Sequence, residues 1–268
     1  MAEVTVDGLK INYRDTGGDS PPIVLVHGFT GNVRNWALTV PAIRDRFRCV
    51  SFDLPGHGLS DKPTDASAYE LPKMAEIVWG AIQALGLETP VLMGHSMGGM
   101  ISQYVVLAHP ESFRALVLVD TASETIPIRD QDRLKMIEAA KAGGIEAAFE
   151  LQLANAEPGL RANAQFVALW REQFMMTSTD AYIGGAEAMS GRESLLGRLQ
   201  DIRIPALIVC GEKDLPFLAP SKKMHAAIPG SQLEIIPGAG HSPTFETPEK
   251  FNAVLTTFLN KIAVTSSA

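Results

Sequence analysis

The sequence predicts an α/β protein: a mainly parallel, eight-stranded sheet flanked by helices, with a helical segment inserted after the sixth strand. Three features carry this reading. Over residues 1–120 short apolar runs alternate with amphipathic stretches, the pattern of successive βαβ units. Between about Thr121 and Leu199 the strand-like runs vanish and helical periodicity takes over. Strand alternation then returns, and the chain closes on an amphipathic helix. Residues 1–120 and 200–268 are therefore expected to form one α/β core, and 121–199 a helical insertion.

Val4–Val6 and Leu9–Arg14 read as a hairpin turning at Asp7-Gly8. Pro22–His27 (PIVLVH) and Phe47–Asp53 (FRCVSFD) are continuous apolar runs, as parallel strands covered on both faces must be. Leu71–Leu85 carries apolar residues at helical spacing, from Met74 through Ile77, Val78 and Ile82, and stops at Gly86. Pro90–Gly94 is a short strand, Met97–Ala108 a helix closed by His109-Pro110, and Ala115–Asp120 the sixth strand. In the insertion, breaks are expected at Gly143-Gly144, Pro158-Gly159, Gly184-Gly185 and Gly191, separating four or five short helices. Ala206–Cys210 and Gln232–Ile236 are the last strands. The final helix, Pro248–Ile262, places Phe251, Val254, Leu255, Phe258, Leu259 and Ile262 on one face, and the tail Val264–Ala268 reads as frayed.

Composition narrows the function. A chain of 268 residues buries enough apolar surface to need no disulfide or metal staple. Its net charge of −7, with scattered Lys and Arg, argues against nucleic acid or an anionic membrane as partner. Met1–Lys10 lacks a charged start followed by an apolar run, so no secretory signal is read there. No uncharged apolar stretch approaches the roughly 20 residues that span a bilayer. Cys49 and Cys210 each end a strand-like run and read as buried free thiols, which fits a reducing, cytoplasmic setting. Histidines and cysteines lack ligand spacing, and Gly94–Gly99 matches neither a dinucleotide loop nor a Walker lysine motif, so no metal or cofactor is expected.

The chemistry concentrates at Gly94-His95-Ser96-Met97-Gly98. An apolar strand precedes this Gly-x-Ser-x-Gly and an amphipathic helix follows at once, the strand–turn–helix context that lifts a serine above a sheet edge. A serine hydroxyl needs a base within hydrogen-bond reach. Of six histidines, His241 lies in the loop after the last strand and before the last helix, from which it can reach back to Ser96. His27 and His57 sit in glycine-rich turns, His95 precedes the serine and must point elsewhere, and His109 and His225 belong to helices. The base needs a carboxylate to fix its tautomer. Asp214, just past the strand Ala206–Cys210, is the first choice, with Asp120 and Glu212 as rivals. Donors for an oxyanion are expected from the backbone N–H groups of Phe29, in the loop His27–Gly31, and of Met97, which follows the serine.

The segments VLVHGFTG, FDLPGHGLSDKP, GHSMGG, GEKD and GAGHSPTFETPE resemble, in this order, the signatures of α/β-hydrolase-fold enzymes. They are similar to those of bacterial esterases, lactonases, C–C bond hydrolases and cofactor-free haloperoxidases. The resemblance covers about Val4–Asp120 and Ile202–Ile262, and the helical insertion corresponds to that family's cap, which shapes the pocket. Dehalogenases and epoxide hydrolases of the fold use an aspartate where Ser96 stands. Meta-cleavage C–C hydrolases usually have asparagine and tryptophan where this chain has His95 and Ser242. Menaquinone-pathway synthases of the fold bind an acidic substrate through arginines; here Arg129, Arg133, Arg161, Arg171, Arg192 and Arg198 are spread along the insertion or its edge. The resemblance implies a serine hydrolase of carboxylic esters with short to medium acyl chains, with Trp170, Met175, Phe149 and Phe217 as candidate acyl-pocket residues, acting as monomer or homodimer. The alternatives are a lactonase, a C–C hydrolase, a perhydrolase and, from another class, a non-catalytic ligand receptor.

Overall fold

The computed structural model describes residues 2–156, 161–162 and 164–264. Eight strands form one sheet: β1 (Ala2–Val6), β2 (Leu9–Asp15), β3 (Pro22–Val26), β4 (Arg48–Phe52), β5 (Val91–His95), β6 (Ala115–Val119), β7 (Ala206–Gly211) and β8 (Gln232–Ile236). Their order is β1-β2-β4-β3-β5-β6-β7-β8. The β1–β2 hairpin joins antiparallel at the β4 edge, and every other pairing is parallel.

The apolar runs are continuous because both sheet faces are covered. Side chains alternate across a strand, so Val24, Val26, Leu92, Leu116 and Ile208 point to one face, against α2 (Leu71–Ala84) and α3 (Met97–Ala108). Ile23, Leu25, Met93, Val117 and Val209 point to the other, where Trp36 and Phe47 pack beside a C-terminal helix that presents Phe251, Leu255, Phe258 and Leu259. Cys49 and Cys210 are buried free thiols in β4 and β7.

Several short turns of helix escape the periodicity argument because they are too brief to show a period, among them Val33–Trp36, α1 (Val40–Ile43), Ala66–Tyr69 and Leu196–Asp201. Between β6 and β7 run α4 (Pro127–Asn155), α5 (Ala164–Phe174) and α6 (Thr179–Gly191). Gly143 and Gly144 leave helical geometry and kink α4, and α6 ends at Gly191, both as expected. The expected break at Pro158-Gly159 lies outside the described residues. The expected break at Gly184-Gly185 is absent, since both lie inside α6. These glycines answer to packing instead. A Cβ on Gly184 would stand 2.8 Å from the Tyr69 ring, and one on Gly185 3.1 Å from the Phe29 ring.

After β7 comes α7 (Leu215–Ala227), which carries Pro220 within it, and after β8 the short α8 (Pro243–Glu246) and the C-terminal α9 (Pro248–Val264). Val264 closes α9, where the sequence suggested a frayed end; residues 265–268 lie outside the description. No described helix is long and apolar enough to cross a membrane.

Candidate active site

Ser96 sits between β5 and α3 at φ 51° and ψ −117°, a conformation that strains any residue but glycine and is kept only where surrounding structure enforces it. The enforcement is close backbone packing. A Cβ on Gly94 would lie 2.3 Å from the Gly98 carbonyl oxygen, and one on Gly98 2.2 Å from that of Val26. Glycine is thus required on both sides of the serine. The Ser96 N–H donates to the Val119 carbonyl at 2.9 Å, and the Thr121 hydroxyl donates to the Ser96 carbonyl at 2.7 Å.

His241 reaches Ser96 from the loop after β8. Its Nε2 lies 2.9 Å from Ser96 Oγ and its Nδ1 2.7 Å from Asp214 Oδ2. Asp214 stands between β7 and α7 and is buried. Burial works to raise its pKa, yet the hydrogen bond and charge of His241 and a hydrogen bond from Asp120 hold the carboxyl below its usual range. Asp214 is therefore an acceptor at neutral pH. It fixes the imidazole proton on Nδ1 and turns the Nε2 lone pair to the serine hydroxyl.

The two rival carboxylates bond to backbone N–H groups. Glu212 accepts the Gly238 N–H at 2.9 Å, and Asp120 accepts the Gly211 N–H at 2.8 Å.

Three supports of His241 escaped the sequence reading. Glu246 accepts the N–H groups of Gly240 (2.8 Å) and Ser242 (2.9 Å), one on each side of the histidine. Phe217 packs its ring on the imidazole at 4.7 Å between centroids. His95, which the sequence offered no role, has its Nε2 2.6 Å from the His241 carbonyl. Burial, then the nearby charge of His241, lowers the His95 pKa to about 4. His95 is thus a neutral donor to that carbonyl. A residue that binds backbone leaves no pattern in a sequence, so no local signal pointed to it.

The expected oxyanion donors flank Ser96. A Cβ on Gly28 would lie 3.1 Å from Ser96 Cβ, which brings the loop after β3 against the elbow. Phe29 follows in that loop. Met97 opens α3, where first-turn N–H groups have no intrahelical partner. Their side chains share a neighbour, because the Gly185 Cβ position is 3.1 Å from Phe29 and 3.7 Å from Met97 Sδ. His27 supports the loop from beneath: its Nε2 accepts the Leu54 N–H at 3.0 Å, leaving Nδ1–H for the Gly28 carbonyl at 2.7 Å.

Of the acyl-pocket candidates, Phe149 is buried in an aromatic cluster with Phe174 and Tyr182, while Trp170 and Met175 pack half-buried on its edge. Phe29 joins that cluster to the sheet core, its ring 4.8 Å from Tyr182. A cavity of about 750 Å³ opens at the far edge of the sheet, lined by Tyr13, Arg14, Trp36 and Arg44, and contains none of the candidate residues.

The profile of the family described as alpha/beta hydrolase fold matches residues 21–248. The chain belongs to the α/β-hydrolase family. This α/β hydrolase is 29% identical to a Bacillus subtilis (strain 168) protein provisionally named 2-succinyl-6-hydroxy-2,4-cyclohexadiene-1-carboxylate synthase, over 96% of this chain and 97% of that one. An esterase from Exiguobacterium antarcticum superposes with a TM-score of 0.83 at 26% identity, covering 95% and 97% of the two chains. An enol-lactonase from Burkholderia xenovorans LB400 shares the fold with a TM-score of 0.87 at 24% identity, over 97% and 100%.

Proposed function

We propose that this α/β hydrolase is a serine carboxylesterase of short to medium acyl chains, with Ser96 as nucleophile, His241 as general base and Asp214 as the acid that orients it. The observation that carries this reading is the single imidazole bonded to both Ser96 Oγ and Asp214. His241 Nε2 takes the Ser96 proton as Oγ attacks the ester carbonyl, and the backbone N–H groups of Phe29 and Met97 receive the oxyanion. The imidazolium then protonates the leaving alcohol. Water, deprotonated by the same nitrogen, releases the acid from the acyl-serine. Residues 121–199 act as a cap over the elbow. Phe217 borders the histidine, and Trp170, Met175 and Phe149 border the acyl side. The likeness to an esterase at 26% identity is in keeping with this reading.

Steady-state hydrolysis of p-nitrophenyl esters from acetate to palmitate, with Ser96→Ala as control, tests it. Turnover that peaks at short or medium chains and disappears in the variant is the expected result. Turnover that survives the substitution removes Ser96 from the mechanism.

A further inference from the structure

Behind the candidate acid lies a second carboxyl group for which hydrolysis has no evident need. Asp120 follows β6, is fully buried, and is held at φ 42°. Its Oδ1 accepts the Gly211 N–H at 2.8 Å, while its Oδ2, also buried, has no hydrogen-bond partner. Asp120, Cys210 and Asp214 each bring one side-chain oxygen or sulfur atom within 4.8 Å of the others. Two carboxylates this close in a dry pocket do not both ionise. Asp214 has His241 as its partner, so the negative charge belongs there and the proton on Asp120.

We propose that Asp120 is a carboxylic acid whose Oδ2–H donates to Asp214, which makes it a residue that positions the triad's acid from behind. An acidic proton is what the unpartnered Oδ2 lacks, and sharing it satisfies both carboxyl groups. The charged and titratable groups that bear on the pair leave the balance with a proton on Asp120. Burial and then the Asp214 charge push Asp120 well above the carboxylate range, against the smaller pulls of the Gly211 N–H and the Cys210 thiol. Burial pushes the Cys210 thiol up, so no thiolate competes. His241 and Arg129 both favour the Asp214 anion. The same three groups do not read as a cation site, since one oxygen of each carboxyl is committed and the thiol keeps its proton.

The inference rests on Asp214 serving His241, and it is tested by a readout that does not depend on turnover. Infrared spectroscopy of protein labelled with carboxyl-¹³C aspartate is expected to show a protonated-carboxyl stretch at neutral pH in the wild type and in Ser96→Ala. The band should be missing in Asp120→Asn. Asp120→Ala is expected to lower kcat about tenfold or more, the worth of one hydrogen bond to a charged acceptor, with KM unchanged. Asp120→Asn is expected to rescue that loss, because an amide N–H replaces the acid O–H and asparagine tolerates positive φ. The acid limb of the kcat/KM profile should stay in place. Absence of the band, a folded Asp120→Asn as impaired as Asp120→Ala, a displaced acid limb, or stoichiometric metal in the purified protein would overturn the proposal. If Asp120→Ala fails to fold, the band and Asp120→Asn decide. If esterase activity survives Ser96→Ala while the band persists, the triad reading fails and the proton on Asp120 stands.

Discussion

Replacing His95 by phenylalanine tests how the proposed general base, His241, is aimed. Phenylalanine keeps the ring volume in a site that is 6% exposed and deletes one N–H, the donor 2.6 Å from the His241 carbonyl. A buried carbonyl stripped of its donor costs about 1–3 kcal/mol. Glu246 still grips the loop on both sides of His241, which puts the loss near the lower end, about 1–2 kcal/mol. At roughly 2–4 °C per kcal/mol for a chain of this size, the melting temperature should drop by several degrees.

The catalytic effect is separate. Nε2 must stay 2.9 Å from Ser96 Oγ, and a misplacement of about 1 Å costs roughly a hundredfold in rate, so a shift of a few tenths of an ångström predicts a kcat loss of about tenfold. KM should not move, because the bond touches no substrate. Wild-type His95 stays neutral above a pKa of about 4, so His95→Phe should leave the acid limb of the rate profile in place. Kinetics on a p-nitrophenyl ester across pH, beside calorimetry, reads all three quantities. A kcat within about twofold of wild type, alongside the expected melting shift, would refute the positioning argument and leave the bond a purely structural one.

Asp214→Asn should reduce kcat roughly ten-thousandfold with little effect on folding, because the amide no longer fixes the imidazole tautomer; activity near wild type would move the acid's role elsewhere. Gly185→Ala sets two effects against each other. Alanine gains about 1 kcal/mol of helix propensity inside α6, but its Cβ meets the Phe29 ring at 3.1 Å. The melting temperature should barely change while kcat/KM falls severalfold, and an unchanged kcat/KM would mean the Phe29 loop yields freely. Stability should also fall on acidification. His27, His57 and His95 are buried neutral with pKa values of about 4, 3 and 4, against 6.5 unperturbed. Burial leads each shift. As pH drops from 6.5 toward 4 the unfolded chain binds protons that the folded one refuses, at up to about 1.4 kcal/mol per pH unit per histidine. Asp120 runs the other way, since its raised pKa keeps a proton that the unfolded chain releases. A melting temperature that stays flat over this interval would contradict the neutral burial of the histidines.

The sheet was legible because both of its faces are covered. A strand such as Ala115–Val119 has no polar side to blur, so the apolar run alone marks it. The candidates Ser96, Asp214 and His241 stood out because each follows a strand in a glycine-bearing turn; a Cβ at Gly94, Gly98 or Gly211 would strike backbone, and one at Gly240 the Glu246 carboxylate. Gly184-Gly185 misled for the converse reason. Two adjacent glycines look like a break in any local reading, and only Tyr69 and Phe29, each more than 100 residues away, explain why a helix keeps them. His95 and Glu246 were invisible as supports because they bind main-chain atoms, which carry no residue-specific trace. The helix Leu215–Ala227 was marked only at His225, since Pro220 within it reads as a stop.

The aromatic ring of Phe29 belongs to two packing clusters at once, one under the sheet's helices and one inside the β6–β7 insertion. Its backbone is an expected oxyanion donor, so the insertion does not sit on the core as an interchangeable part. A chimera that imports residues 121–199 from a relative would arrive with its own surface opposite Phe29. Unless a small residue comes in at position 185 and an aromatic one at 182, the loop would be re-aimed along with the pocket. Substrate range and turnover would then change together, and directed evolution of the insertion should find them difficult to separate.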